Sequence, residues 1–381
     1  MTTVLKSKDN AVATNVLGFT VQKDELIKAV GVVLGAISSK ATIPILNNIL
    51  LQTDGPDKLT LTTTDLELGI KTECPAVVNL SGSVTIPAKK LHEILRELPS
   101  GEIEVTVGRN NAVNIKTNKS FFKIMGLEPD DFPKLLEPTP EQQFELDQQT
   151  LKKCLVLTSF AISRDETRYT LNGVLMIVRN KTIRFVATDG KRLAYIEKEI
   201  DGGEVLIEMI IPVKTILELV KTLSESTGKA KILCAQNQAI FKINKTIFVS
   251  RLIEGRFPNY EQVIPKEEKT ITEVNRQELL SALKRVSLLT SQENQSAKLD
   301  FIKGKLLISS KAANVGEAKE EILTEVSGED LTIGFNPNYL IDALKNLESE
   351  KITLAMTSSD KPGLLKAGEG YLYVVMPMQL N

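Results

Sequence analysis

The chain has 381 residues, 42% of them apolar and 25% charged, ordinary values for a globular protein with real cores; at roughly 100–200 residues per domain it holds two to four domains. Its 47 Lys and Arg against 48 Asp and Glu give a net charge of −1, which excludes a global basic excess and leaves any polyanion binding to local charge distribution. One histidine (His92) and three cysteines 80 residues apart (Cys74, Cys154, Cys234) exclude a disulfide framework, a CxxC knuckle and His-rich metal chemistry, so neither metal nor cofactor is expected.

Residues 1–17 (MTTVLKSKDNAVATNVL) read as a flexible polar extension without the apolar run of a signal peptide. No segment approaches 18 uninterrupted apolar residues, and a reducing cytoplasm is the expected setting. From Phe19 a short strand leads into a helix predicted over 23–38, where Leu26, Val30, Val33, Leu34 and Ile37 recur at helical spacing. Strands follow at ILNNILLQT (45–53) and KLTLTTTD (58–65), rich in β-branched residues. A second helix, over 89–98, starts at VTIPAKKLHEIL, where Pro suits a first turn. EIEVTVG, AVNIKT and SFFKIMGL then close the unit as strands.

The same order returns twice. FTVQKDELIKAVGVVLGAIS, FELDQQTLKKCLVLTSFAIS and ITEVNRQELLSALKRVSLLTS align Leu26, Leu151 and Leu279, 125 and 128 residues apart. VTIPAKKLHEIL, MIIPVKTILELV and TIGFNPNYLIDAL align Ile86, Ile211 and Phe335, 125 and 124 apart. Two anchors with one period mean a tandem triplication, with further helices over 148–163, 213–226, 275–290 and 337–348. Phe132-Pro133 and Phe257-Pro258 are again 125 apart, each ahead of a Pro- and charge-rich stretch, EPTPEQQ and IPKEEKT, that reads as a linker. The predicted fold is α+β: three copies of one domain (18–139, 140–266 and 267–381), each with two helices and about eight strands of antiparallel sheet.

Catalytic machinery is missing. No Walker A, GxGxxG, HExxH or GxSxG occurs, and His92 has no counterpart in the other repeats. Thr64-Asp65 and Thr188-Asp189 share a repeat position, which favours an Asp that satisfies backbone donors in a turn. Glu128, Asp130 and Asp131, flanked by proline and without glycine, read as a solvated loop. The chain is not expected to be an enzyme. The six predicted helices carry 13 basic and 9 acidic residues, +4, leaving −5 for the remainder. So modest a bias fits either a solvated helix face or one face that attracts phosphate while the rest repels it. Against an α+β enzyme with a site between lobes stand the missing motifs; against a single-strand-binding protein stands the scarcity of basic-aromatic clusters.

The triplicated unit, IPAKKL, TRYTLNGVL, ATDGKRLA, GRFPNY and the terminal YVVMPMQL closely resemble the bacterial DNA polymerase III β subunits, the replicative sliding clamps, over residues 18–380. The resemblance implies the DNA-clamp fold: a head-to-tail homodimer closed into a ring, helices lining the hole and sheets on the rim. It implies a processivity factor that encircles double-stranded DNA without sequence preference. Its partners would be the polymerase III catalytic subunit, a clamp loader, and other replication and repair proteins carrying clamp-binding peptides, with no membrane partner.

By the same resemblance Lys40, Lys89, Arg168, Tyr169, Lys214, Asn336 and Tyr339 are DNA-binding residues. Thr170 replaces a second tyrosine there, and Asp165 stands where a neutral amide can occur. The partner-peptide pocket is implied at Leu171, Thr188, Gly190, Arg192, Leu193, Pro258, Val263, Val375, Met376, Pro377, Met378 and Leu380. Met and Leu there suit an adaptable apolar groove. Gln262 and Gln379 stand where basic residues often occur, and Asn381 adds a terminal residue. The dimer interface is implied at Lys90 and Phe122 on one side and at Leu288, Leu289, Glu317, Glu320 and Glu321 on the other.

Overall fold

In the computed structural model, which describes residues 15–37, 43–135, 137–200, 206–223, 227–290, 296–312 and 315–380, the helices come in pairs. They are α1 (Lys23–Val33), α2 (Ala88–Glu97), α3 (Gln148–Ser159), α4 (Val213–Thr222), α5 (Arg276–Ser287) and α6 (Pro337–Asn346). Odd-numbered helices begin 125 and 128 residues apart and even-numbered ones 125 and 124. α1 packs on α2, α3 on α4 and α5 on α6. In α1 the spacing buries Leu26, Val30 and Val33, but the helix stops at Val33 and tightens into a 3-10 turn, Leu34–Ala36, short of the predicted residue 38. Gly35, a poor helix former, sits in that turn. Pro87 and Pro212 stand at the N-caps of α2 and α4, whereas Asn275 caps α5 by accepting from the N–H groups of Gln277 and Glu278 at 2.9 and 3.0 Å.

The chain divides into two compact units, Met1–Thr139 with Gln238–Ser250, and Pro140–Asn237 with Arg251–Asn381. In the first, a five-stranded sheet has the spatial order Val77–Leu80, Asn15–Gln22, Glu102–Gly108, Ala112–Lys116 and Phe121–Met125. A second sheet orders Ser83–Pro87, Asn48–Thr53, Lys58–Thr64 and Leu68–Pro75, and onto its last strand is added Thr246–Arg251 from the second repeat. Thr246 lies opposite Thr72, their hydroxyls 2.8 Å apart, and Ser250 lies opposite Leu68.

The second unit repeats the device. Its nine-stranded sheet joins Arg192–Glu199 of the second repeat to Tyr371–Val375 of the third, with Arg192 opposite Val375. A four-stranded sheet orders Gly316–Leu323, Lys305–Ala312, Ala297–Ile302 and Leu331–Phe335. Strands starting at 121, 246 and 371 are thus 125 apart, and strands starting at 68, 192 and 316 are 124 apart. Two of these three pairs are made; Phe121–Met125 and Gly316–Leu323 each form an edge of their own sheet.

Among the described residues the repeats contribute nine, eight and nine strands, against about eight expected. The strand Asn15–Gln22 takes in residues 15–17, which the sequence reading placed in the extension; Leu17 is fully buried, and that apolar side chain ties them to the fold. Residues 1–14 lie outside the described residues.

Candidate functional site

The turn after strand Thr182–Thr188 is closed by its own side chains. Thr188 Oγ1 donates to the carbonyl of Arg192 at 2.6 Å and accepts from Gly190 N at 3.0 Å. Asp189 Oδ1 accepts from the N–H groups of Lys191 and Arg192 at 2.9 and 3.1 Å. Asp65 accepts in the same way from Glu67 and Leu68, so the repeated Thr-Asp is a turn device, as its recurrence suggests. Gly190 has φ +85°, a backbone conformation that calls for glycine.

From this turn Arg192 runs inward. Nε donates to Asp189 Oδ2 at 2.9 Å, Nη1 to Asp342 Oδ2 at 2.8 Å and Nη2 to the Phe160 carbonyl at 2.9 Å. The guanidinium lies 4.6 Å from the ring centroid of Tyr339 and 5.7 Å from that of Phe160. Burial opposes its charge, but Tyr373, Asp342 and Asp189 together outweigh that and raise its pKa above the usual guanidinium value. Asp342 belongs to α6 in the third repeat, so this one cation links two repeats.

Beside it lies an apolar cavity of about 150 Å³. Leu171, Thr188, Gly190, Arg192 and Leu193 line one side; Pro258, Asn259, Tyr260 and Val263 line another; Val374 and Met376 complete it. Its floor belongs to a buried cluster that includes Leu175, Val186, Ile210 and Phe257. Val263 and Met376 are 43% and 41% exposed and form the rim. A larger hollow of about 430 Å³, lined by Glu145, Asp147, Lys181, Glu199 and Lys229, is polar.

Eight of the twelve residues expected for the pocket therefore meet at one cavity. Val375 does not: it is buried across from Arg192, and its neighbour Val374 faces the cavity, because adjacent residues of a strand point to opposite faces. Pro377, Met378 and Leu380 line a second, more open hollow of about 600 Å³ with Gly334, Ser359 and Asp360. The tail is led there by two backbone bonds, Met376 N to Lys191 O at 2.9 Å and Met378 N to Gly334 O at 2.8 Å. Asn259, Tyr260 and Val374 escaped the sequence reading, although GRFPNY contains the first two.

The residues expected to meet DNA are more scattered. Lys40 lies outside the described residues. Lys89 is exposed at the start of α2, and Lys214 holds the equivalent place in α4, half-exposed. Tyr169 is exposed, and Arg168 is bound through Nε to Asp165 at 3.0 Å. Hydrogen bonds from Thr167 and Arg168 hold the Asp165 carboxyl below its usual pKa. Asn336 is buried, and its Oδ1 caps α6 by accepting from Asn338 N at 3.0 Å. Tyr339 gives its ring to Arg192.

Of the expected interface, Leu288 is 78% exposed and Leu289 half-buried. The acids nearby have partners within the chain: Glu320 with Arg285 at 2.6 and 2.8 Å, Glu321 with Lys305 at 2.9 Å, and Glu317 with Lys319 at 3.3 Å. Lys90 pairs with Glu93 at 2.5 Å, and Phe122 is half-buried while its neighbours Phe121 and Met125 are exposed.

No thiol is poised for chemistry. Burial pushes Cys74 and Cys234 up to about 11 and Cys154 up to about 12. No His/Cys/Asp/Glu group suited to a metal ion occurs among the described residues, and Pro129–Asp131 is a short 3-10 turn with exposed acids.

The family models of the DNA polymerase III beta subunit match this chain in order: the N-terminal domain at residues 17–136, the central domain at 145–259 and the C-terminal domain at 261–379. The chain belongs to the DNA polymerase III beta subunit family. It is 33% identical over 364 residues to the beta sliding clamp of Chlamydia pneumoniae, covering 95% of this chain and 99% of that one. With the beta sliding clamp of Pseudomonas putida it shares 35% over 375 residues, 95% of this chain and all of the other. Crystal structures of sliding clamps from Pseudomonas aeruginosa and Bacillus subtilis superpose with TM-scores of 0.91 each, at 33% and 31% identity, covering 96% of this chain and 100% of each of theirs. Its function is that of a replicative sliding clamp.

In this clamp Arg192 is both cavity wall and tie between repeats. Arg192→Met keeps the aliphatic stem but leaves Asp189 and Asp342 without their shared cation, and stability is expected to fall by about 2 kcal/mol. A lower urea midpoint checks this, and adding Asp342→Asn should recover part of the loss.

Proposed function

We propose that two copies of the chain close head to tail into a ring around duplex DNA, and that the cavity takes peptides of the polymerase III catalytic subunit and of other replication and repair proteins. A clamp loader would open and close the ring. No step in this work is catalytic, and its place is beside the chromosome in the cytoplasm.

The observation that carries the ring is the register of the joints. A strand starting at 246 is added to one starting at 68, and a strand starting at 371 to one starting at 192. The third members of the two series, Phe121–Met125 and Gly316–Leu323, are sheet edges with unpaired backbone groups on one side. Within one chain they are the first and last repeats' strands; between two chains they supply the missing joint. A heterologous contact repeated at equal intervals closes when the rotation is right, and three equal domains per chain make six such steps in a dimer. Exposed Phe121 and Met125 (63% and 57%) would meet exposed Leu288, Val315 and Leu323 (78%, 71% and 78%). Because Glu317, Glu320 and Glu321 are paired within the chain, strand addition and apolar contact carry this interface, with Lys90, Phe122 and Leu289 at its margin.

DNA contacts fall to Lys89, Arg168, Tyr169 and Lys214, with Lys40 by resemblance. So few cations on a chain of net charge −1 bind phosphate weakly. The cavity is small and apolar, with a Met and Val rim, and suits one Leu- or Phe-type anchor of an extended peptide. Pro377, Met378 and Leu380 would take a second part of the same peptide.

Two experiments test this reading. Changing Leu288 and Leu289 together to Ala should shift the protein toward monomer in sedimentation, through the loss of apolar interface at about 25 cal/mol per Å². Circular dichroism should stay native-like, and a fully dimeric double mutant would remove those leucines from the interface. Protein loaded onto nicked circular DNA by a clamp loader and ATP should survive a high-salt wash and be released once the circle is cut. Equal retention on circular and linear DNA, or loss from the circle in salt, would mean binding by contacts alone.

A further inference from the structure

The wall of the cavity formed by Pro258–Val263 is held differently from the rest. Among the described residues, no backbone hydrogen bond ties residues 254–264 to a strand; the last such bond before them is Ile253 N to Ile210 O at 3.0 Å. The segment therefore rests on side chains: Phe257, buried in the cluster beneath the cavity, and Tyr260, 8% exposed.

Tyr260 and Glu261 are held by residues that do not line the cavity. On neighbouring strands Arg184 lies directly opposite Glu197, and Val186 opposite Tyr195, so all four share one sheet face. Arg184 Nε donates to Glu197 Oε2, and the Tyr195 hydroxyl donates to the same oxygen at 3.1 Å. The Tyr195 ring packs at 6.0 Å, tilted, against Tyr260. Arg184 Nη1 also lies 3.7 Å from Glu261 Oε1, on the residue that follows Tyr260. None of Arg184, Tyr195 and Glu197 lines the cavity.

We propose that Arg184, oriented by Glu197, is a positioning residue for the peptide site: it locks the Tyr260–Glu261 turn and through it the Pro258–Val263 wall. It touches no peptide. Its planar fork suits the task, because one guanidinium serves a carboxylate on the sheet and another on the segment at once. Without it Tyr260 keeps its ring contact with Tyr195, but Glu261 loses the cation that ties the turn to the sheet. The wall then samples positions that a peptide anchor must reorder on binding, and affinity falls. This inference rests on reading the cavity as a peptide site.

The test uses the full chain and a fluorescein-labelled peptide of the polymerase III catalytic subunit containing Leu and Phe, read by anisotropy. Arg184→Met should weaken binding about tenfold, the scale of a lost charged hydrogen bond. Arg184→Lys, which keeps a donor, should recover part of it, and Glu197→Gln should give a smaller loss. With 3-fluorotyrosine in the six tyrosines, the resonance assigned to Tyr260 by Tyr260→Phe should move in the Met variant and return toward its place in the Lys variant. Deleting Met376–Asn381 separates the two readings. If the deletion leaves affinity unchanged, the peptide site itself is misplaced and the inference falls with it. If the deletion abolishes binding while Arg184→Met binds as the wild type does, only the positioning role is overturned. Lost affinity with an unmoved Tyr260 resonance overturns it too. Should Arg184→Met fail to fold, Glu197→Gln decides, and unchanged affinity there is the refuting result.

Discussion

Backbone edge pairing is the constraint on which this molecule turns. A sheet edge leaves a row of N–H and C=O groups that must find partners or face water. In each unit one such edge is filled by a strand from the next repeat, Thr246–Arg251 on Leu68–Pro75 and Tyr371–Val375 on Arg192–Glu199. These joints are sheet continuations rather than docked surfaces, so they inherit the register specificity of any strand pair. The interval of 125 residues in the sequence is thus also the interval of the joints. A triplicated chain that fills two edges in this way necessarily leaves one donor strand and one acceptor strand over, and the proposed ring is what becomes of the pair.

The apolar cavity belongs to the second of these joints. Tyr371–Val375 arrives at strand Arg192–Glu199, and where it runs out the chain continues as Met376–Leu380 from the cavity to the second hollow. Arg192 starts the acceptor strand, and its guanidinium crosses to Asp342 of α6. Packing a cation there would be costly alone, but three acceptors and two aromatic faces surround it. The stem that remains visible to the cavity is apolar. An arginine thus serves as a hydrophobic wall because its charge is spent elsewhere.

Much of this was legible in the sequence, and the limits have physical causes. The repeat, the helix pairs and the Thr-Asp turns were readable because each depends on local spacing: Leu26, Leu151 and Leu279 mark equivalent helices, and Asp189 bonds donors two and three residues away. The residues at the cavity were readable only through the resemblance, since Leu171, Pro258 and Met376 lie far apart in the chain. Val374 and Val375 could not be told apart, because both are buried and only strand phase decides which faces the cavity. The capping role of Asn336 was not legible for a similar reason: an amide before a helix serves as cap or as surface contact, and only the structure shows that it accepts from Asn338 N. The pairing of Glu320 with Arg285 joins α5 to the strand Gly316–Leu323, a contact between elements that spacing does not report.

Weak contacts are consistent with the proposed work of the ring. A cavity of about 150 Å³ accommodates a side chain or two, which limits the affinity of any one peptide. A tight site would keep its first partner, whereas a replicative clamp must pass among several. A closed ring would remove the need for tightness: a partner held even loosely to a protein that cannot leave the duplex would stay at high effective concentration near its substrate. The same logic applies to DNA. Strong phosphate binding would impede sliding, and the six helices, with 13 basic against 7 acidic residues, carry a surplus of only +6, which keeps each contact exchangeable. Persistence is then a property of the closed backbone joints, mobility a property of the sparse cations, and partner exchange a property of the small apolar cavity. Each rests on a different part of the chain, so no single surface has to be both strong and labile.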